Sequence, residues 1–241
     1  MKLLLEKWQK FINEQTPQGV FVPHKHGRHE SDIYIPPSTD LSKPVKIITY
    51  HHGFGSSRNK LRNMIQNRKY NKNVIIATPL YTRHSRDGGK GKARAILAPG
   101  YIKNVMDTVQ NKTGQPINLE RVRSIAHSAG GPSMRRWAKT EDPNLPHSSF
   151  DFLDASYGRD PKRLKHLTDL VGQGNLRFVT GGIPSSKTRI NVEKYKKSYP
   201  EIKHYSANPE EYTHDDISRK WDWDFSSETT IDEPETNTEK I

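Results

Sequence analysis

Along most of this chain apolar residues come in short runs between polar, glycine- and proline-bearing stretches, and the spacing inside each run predicts its structure. Residues 20–23 and 32–36 read as two short strands, together a hairpin at a sheet edge. Residues 45–50 are the first strong strand. Residues 73–79, with Val74, Ile75, Ile76 and Ala77 in succession, form a buried strand of the kind parallel sheets use. Further strands are expected at 122–125, 150–153, 176–180 and 202–205. Between them the period lengthens to that of helices. Residues 59–68 place Leu61, Met64 and Ile65 on one face, and 98–109 supply a second helix. Gly130, Gly131 and Pro132 open a third, in which Met134, Trp137 and Ala138 are spaced to pack inward. Helices follow at 164–171, at 187–197 and, entered through Thr213 to Ile217, at the end of the patterned region. Leu4, Leu5, Trp8, Phe11 and Ile12 also recur at helical spacing, so an amphipathic helix is expected within residues 1–15. An initial hairpin followed by this alternation implies an open, mostly parallel sheet with helices on both faces.

Composition sharpens that picture in three ways. With 241 residues the chain can bury one substantial core, and a single domain over 1–225 is expected. Hydrophobic residues make up only 32% and mean hydropathy is -0.91, but their grouping predicts a folded domain with a very polar surface. Residues 226–241 differ, holding five acidic residues against Lys240, and are expected to be a disordered tail. That tail carries -4 of the net +12, which leaves +16 on the residues before it. A basic body favours anionic partners, with simple solubility an equal explanation. There is no cysteine, which excludes disulfides and thiolate metal sites. The apolar start at Leu3 to Leu5 is cut by Glu6 and Lys7, too early for a signal core. No stretch approaches a membrane span, so a cytoplasmic location is expected.

Candidate chemistry sits where strands end. His24, His26 and His29 lie close enough in sequence to suggest zinc or nickel, but no H-E-x-x-H accompanies them. A solvated basic loop with Lys25, Arg28 and Glu30 is the expectation there, with no metal. The strand at 45–50 runs into His51, His52, Gly53, Phe54 and Gly55, a turn whose amides can face a phosphate or a developing oxyanion. Neither G-x-x-x-x-G-K-[ST] nor G-x-G-x-x-G occurs, which leaves the phosphate reading without support. A long, basic, glycine-rich loop at 81–92 is placed to border a site. After the strand at 122–125, Ser128 stands between Ala126 and Gly130, small residues two before and two after it. A sharp strand-to-helix turn needs small residues there, because larger ones collide within the bend, and such a turn pushes the hydroxyl clear of its neighbours.

With these features in this order, the chain resembles the α/β-hydrolase family over almost its whole patterned length. His52, Gly53, Phe54 and Gly55 look like its oxyanion loop, and the run from Ala126 to Gly130 like its nucleophile elbow, with Ala126 where glycine is usual. The resemblance implies a three-layer fold around a mostly parallel sheet of about eight strands. It implies a serine hydrolase that needs no cofactor and cleaves an ester, small-molecule or polymeric, in preference to an amide; the +16 body suggests that the substrate is anionic or carbohydrate-rich. Ser128 would be the nucleophile, His214 the base, and Asp154 the acid that orients it. Asp154 follows the strand directly after the elbow, a known variation, whereas the usual place after the next strand offers Gly181 and Gly182. His214 is preferred to His204 because it follows the last strand and opens a helix. The amides of Ala129 and Phe54 would form the oxyanion hole, and His52, Gly53, Gly55 and His127 would line the substrate site. Two other classes remain open at this point: a non-catalytic relative that binds an anionic polymer, and a nucleic-acid binder, for which no reader motif is present.

Overall fold

The computed structural model describes residues 19–27, 29–53, 56–70, 73–80, 99–155, 160–181, 187–208, 212–221 and 223. The expected N-terminal helix, the basic loop at 81–92 and the acidic tail lie outside them. The strands are β1 (Val20–His26), β2 (His29–Ile35), β3 (Val45–His51), β4 (Val74–Leu80), β5 (Leu119–His127), β6 (His147–Leu153), β7 (Leu176–Thr180) and β8 (Lys203–Ser206). The helices are α1 (Arg58–Gln66), α2 (Tyr101–Thr113), α3 (Gly130–Ala138), α4 (Lys165–Val171), α5 (Lys187–Ser198) and α6 (His214–Lys220).

All eight strands join one sheet in the order β1-β2-β4-β3-β5-β6-β7-β8. The β1–β2 hairpin is antiparallel and meets β4 antiparallel, and every pairing from β4 to β8 is parallel. Alternate residues of the central strands feed two cores. Ile47, Ile75, Ala126, Phe152 and Phe178 pack with α2, α3, α4 and α5 on one face. Ile48, Ile76, Ile125, Leu153 and Val179 pack with α1, α6 and Trp223 on the other. Both faces are therefore apolar, which is why these strands read as continuous runs rather than alternating ones. Met134, Trp137 and Ala138 are all fully buried, as their spacing predicts.

The histidines near the start are a correction. No loop separates the first two strands at His24; both extend to a tight turn in which Gly27 has φ 60°, and His26 pairs with His29. His24 is buried with its Nδ1 2.9 Å from Thr108 Oγ1, and its ring packs edge-on to Tyr101. Burial, reinforced by neighbouring His26, pushes its pKa down to about 4. Among the described residues no group of three metal-ligating side chains converges.

Between β5, β6 and β7 the sheet buries a charge cluster that the sequence pattern hides. Asp151, fully buried, accepts from Arg123 Nε at 3.0 Å and Nη2 at 2.7 Å, from Arg177 Nε at 2.7 Å, and from the Trp221 indole at 2.9 Å. Burial alone would raise its pKa, but the two guanidiniums outweigh it and hold the carboxyl below its ordinary range. Through Trp221 this cluster ties the end of α6 to the sheet. Arg68 reinforces the same end, donating to the carbonyls of Ser218, Arg219 and Trp221 while lying over the Trp223 ring. A seven-residue helix is marginal by itself, so these anchors decide its position.

Candidate active site

β5 ends at His127, and Ser128 turns the chain into α3 with φ 50°, a left-handed conformation unusual for a residue other than glycine. The turn is pinned by Ser128 N–H donating to Leu153 O at 3.0 Å and by Gly131 N–H donating to Ser128 O at 3.1 Å. The surroundings explain its small residues. A Cβ on Gly130 would lie 2.0 Å from His51 O, and one on Gly131 2.2 Å from Ala155 O. A Cβ on Gly53 would approach Ser128 Cβ to 2.9 Å. The elbow is thus wedged between the ends of β3 and β6. Ala126, by contrast, sits in regular pairing with His51 and Phe152, so a methyl is accommodated where glycine is usual.

Asp154 repeats the device one strand over. It follows β6 with φ 45°, and its N–H donates to Val179 O at 2.8 Å. Its buried carboxylate accepts from Gly181 N–H at 3.1 Å and from the Thr188 hydroxyl at 3.4 Å on Oδ1. Oδ2 lies 3.1 Å from His214 Nδ1. The end of β7 thus supplies a hydrogen-bond donor to Asp154.

His214 is the first residue of α6. Thr213 caps that helix through Asp216 N–H, and the Asp216 carboxylate accepts from Thr213 N–H in return, a reciprocal capping box. His127 fixes the same point from the sheet. Its Nε2 donates to His214 O at 2.9 Å, and the two rings lie 4.5 Å apart. Burial first, then the neighbouring imidazole of His214, pushes the His127 pKa down to about 4. A neutral imidazole carries one N–H, and the carbonyl partner assigns it to Nε2. His204 is engaged elsewhere, with Thr180 Oγ1 at 2.8 Å and Glu193 Oε1 at 3.2 Å.

Ser128, His127, His214 and Gly53 line one end of a cavity of about 490 Å³. Its other walls come from α1, through Lys60, Asn63 and Met64, and from α6, through Asp215, Ser218 and Arg219. Sequence reasoning missed these two walls. Lys60, Asn63 and Asn67 share one helix face at intervals of three and four, a signal that reads equally well as a solvated face. His52 is buried, with Nδ1 donating to Gly53 O at 2.7 Å, and burial lowers its pKa. It shapes the turn that brings Gly53 against Ser128. Ala129 lies in helical conformation at the head of α3, where backbone N–H groups lack intrahelical acceptors. Phe54 and Gly55 lie outside the described residues.

No protein-family model and no curated protein matches the sequence. The fold itself has clear counterparts among solved structures. Poly(aspartic acid) hydrolase-1 from Sphingomonas sp. KT-1 superposes with a TM-score of 0.53 at 14% identity, over 85% of this chain and 96% of that one. A thermostable esterase does so with a TM-score of 0.51 at 11% identity, over 86% of this chain and 60% of that one. The chain has the α/β-hydrolase fold. In an α/β-hydrolase sheet the ends of β3, β5 and β6 lie side by side, and here they carry Gly53, Ser128 and Asp154.

Proposed function

We propose that this protein is a serine hydrolase that cleaves esters through an acyl-enzyme intermediate. One observation carries the reading: Ser128, on a left-handed strand-to-helix turn, opens onto the same cavity as His214, whose Nδ1 meets the buried Asp154 at 3.1 Å. With Nδ1–H donated to Asp154, His214 keeps a lone pair on Nε2 and acts as base. It takes the proton of Ser128 as Oγ attacks the ester carbonyl. The oxyanion that forms is met by the Ala129 amide, aided by the positive end of α3, and by the amide of Phe54. His214 then delivers the proton to the leaving alcohol as the C–O bond breaks, and a water repeats the sequence to release the acid. Asp154 holds the ring in the required tautomer and stabilises its charged form.

The fold neighbours that bear hydrolase and esterase names support this class. No helix among the described residues is long and apolar enough to cross a membrane. A fluorophosphonate probe tests the reading, because it reacts only with an activated serine. The wild type should label and Ser128→Ala should not; its turnover of activated esters should fall by about 10⁴-fold or more. Equal labelling of the two would rule out Ser128 as the nucleophile.

A further inference from the structure

The cavity runs away from Ser128 between α1 and α6, and its charge is uneven. Among its described lining residues are three cations, Lys60, Arg68 and Arg219, and a single carboxylate, Asp215. Arg68 is fixed beneath, over Trp223 and against the last carbonyls of α6. Lys60 and Arg219 converge on Asp215 from opposite walls: Lys60 Nζ lies 3.4 Å and Arg219 Nη2 4.0 Å from the same Oδ2. Arg219 also approaches Asp216 at 3.9 Å, but that carboxylate is engaged by the Thr213 cap. All three side chains of the shared contact are more than half exposed, so their mutual attraction is weak and a ligand can replace it.

We infer that the Lys60–Arg219 end of this cavity is a subsite for a carboxylate carried by the ester substrate, and that the enzyme prefers such esters to neutral ones. The inference rests on the reading of Ser128 as nucleophile and names the substrate class of that site. α6 sets the spacing, because His214 starts it and Arg219 lies five residues on, about 7.5 Å along the axis. A carboxylate a few bonds beyond the scissile ester reaches the two cations while the carbonyl stays at Ser128. Asn63 and Asn67 also line the cavity and can hydrogen-bond polar atoms of the substrate. Asp215 holds the two cations together and competes with the substrate for them.

Two matched pairs of esters test this. In the first, mono-4-nitrophenyl adipate is compared with 4-nitrophenyl hexanoate, so the charge is on the acyl side. In the second, the acetate ester of 4-hydroxybenzoate is compared with that of 4-hydroxybenzamide, so it is on the alcohol side. At low salt one pair should favour the anion in kcat/KM by about tenfold, and the preference should shrink as salt is added. Lys60→Gln and Arg219→Gln should pull the ratio toward one, and Asp215→Asn should raise it; a purely structural effect would move both esters of a pair alike. Fluorophosphonate labelling of each variant reports an intact nucleophile. Ratios near one in both pairs, with Ser128 still labelling, would overturn the subsite and leave the hydrolase reading standing. Absence of both turnover and labelling would remove the reading beneath it.

Discussion

Ser128 and Asp154 both hold a left-handed backbone, which costs an ordinary residue about 1–2 kcal/mol, and each is held there by donating its N–H to the end of the next strand. That strain persists only while neighbouring backbone can approach without a side chain in the way. Gly130 is the tightest such contact. In Gly130→Ala the new methyl meets His51 O, a backbone atom that cannot swing aside, so the elbow must move. We expect a loss of about 1–3 kcal/mol of stability, read as a lower urea midpoint, and a larger proportional loss of turnover, because the shift displaces Ser128. An unchanged midpoint would show that the elbow has slack that the geometry denies. This much was legible in the sequence, since a serine flanked by small residues after an apolar run states its own local geometry. The fate of His24 was not, because whether a histidine beside a turn is solvated depends on Thr108 and Tyr101, more than seventy residues away.

α6 is the element on which the proposed chemistry depends most, and it is short. It carries His214 at its start and Arg219 near its end, and it is held by the Thr213 box, by His127, by Arg68 and by the Trp221 contact with Asp151. A helix entered through Thr213 to Ile217 was legible in the sequence and the expected helix formed, whereas its capping box emerges only in the structure. Its anchors were invisible, because Asp151 sits in an apolar strand between two phenylalanines and finds Arg123, Arg177 and Trp221 only through sheet pairing and packing. The cavity walls were hidden for the same reason: they arise where two helices distant in sequence meet. Thr213→Ala should cost about 1 kcal/mol by removing the cap. It should also fray the first turn, where His214 stands, and lower kcat severalfold. Thr213→Ser should restore both. Hydrogen exchange at the α6 amides separates the outcomes: if it does not quicken in Thr213→Ala, the box is not what orders the helix start.

On the scale of the whole molecule, the basic, polar surface surrounds a core that holds several histidines in neutral form. Burial is the leading cause for each, and it brings His24 and His127 to about 4 and His51 to about 3, against an ordinary 6.5. In the unfolded chain these groups take up protons as pH falls below 6.5, whereas the folded state resists until about 4 or 3. The unfolded state therefore binds more protons throughout that window, and stability falls as pH falls through it. Above 6.5 the contribution is fully present; below about 3 it is fully lost. One pKa unit corresponds to about 1.4 kcal/mol, so even one such histidine produces a readable slope in a urea midpoint measured from pH 7 to 4. Asp151 adds its loss later, because its carboxyl is held below the ordinary range and protonates only at lower pH. The surplus of positive charge on residues 1–225 also opposes folding in acid, in the same direction. Salt separates the two causes. Repulsion between exposed charges is screened at high ionic strength, whereas the penalty for charging a buried imidazole is not. We expect the slope between pH 6.5 and 4 to survive 0.5 M salt and to lessen in His24→Gln. A slope that disappears on adding salt would assign the acid sensitivity to the surface and not to the buried histidines.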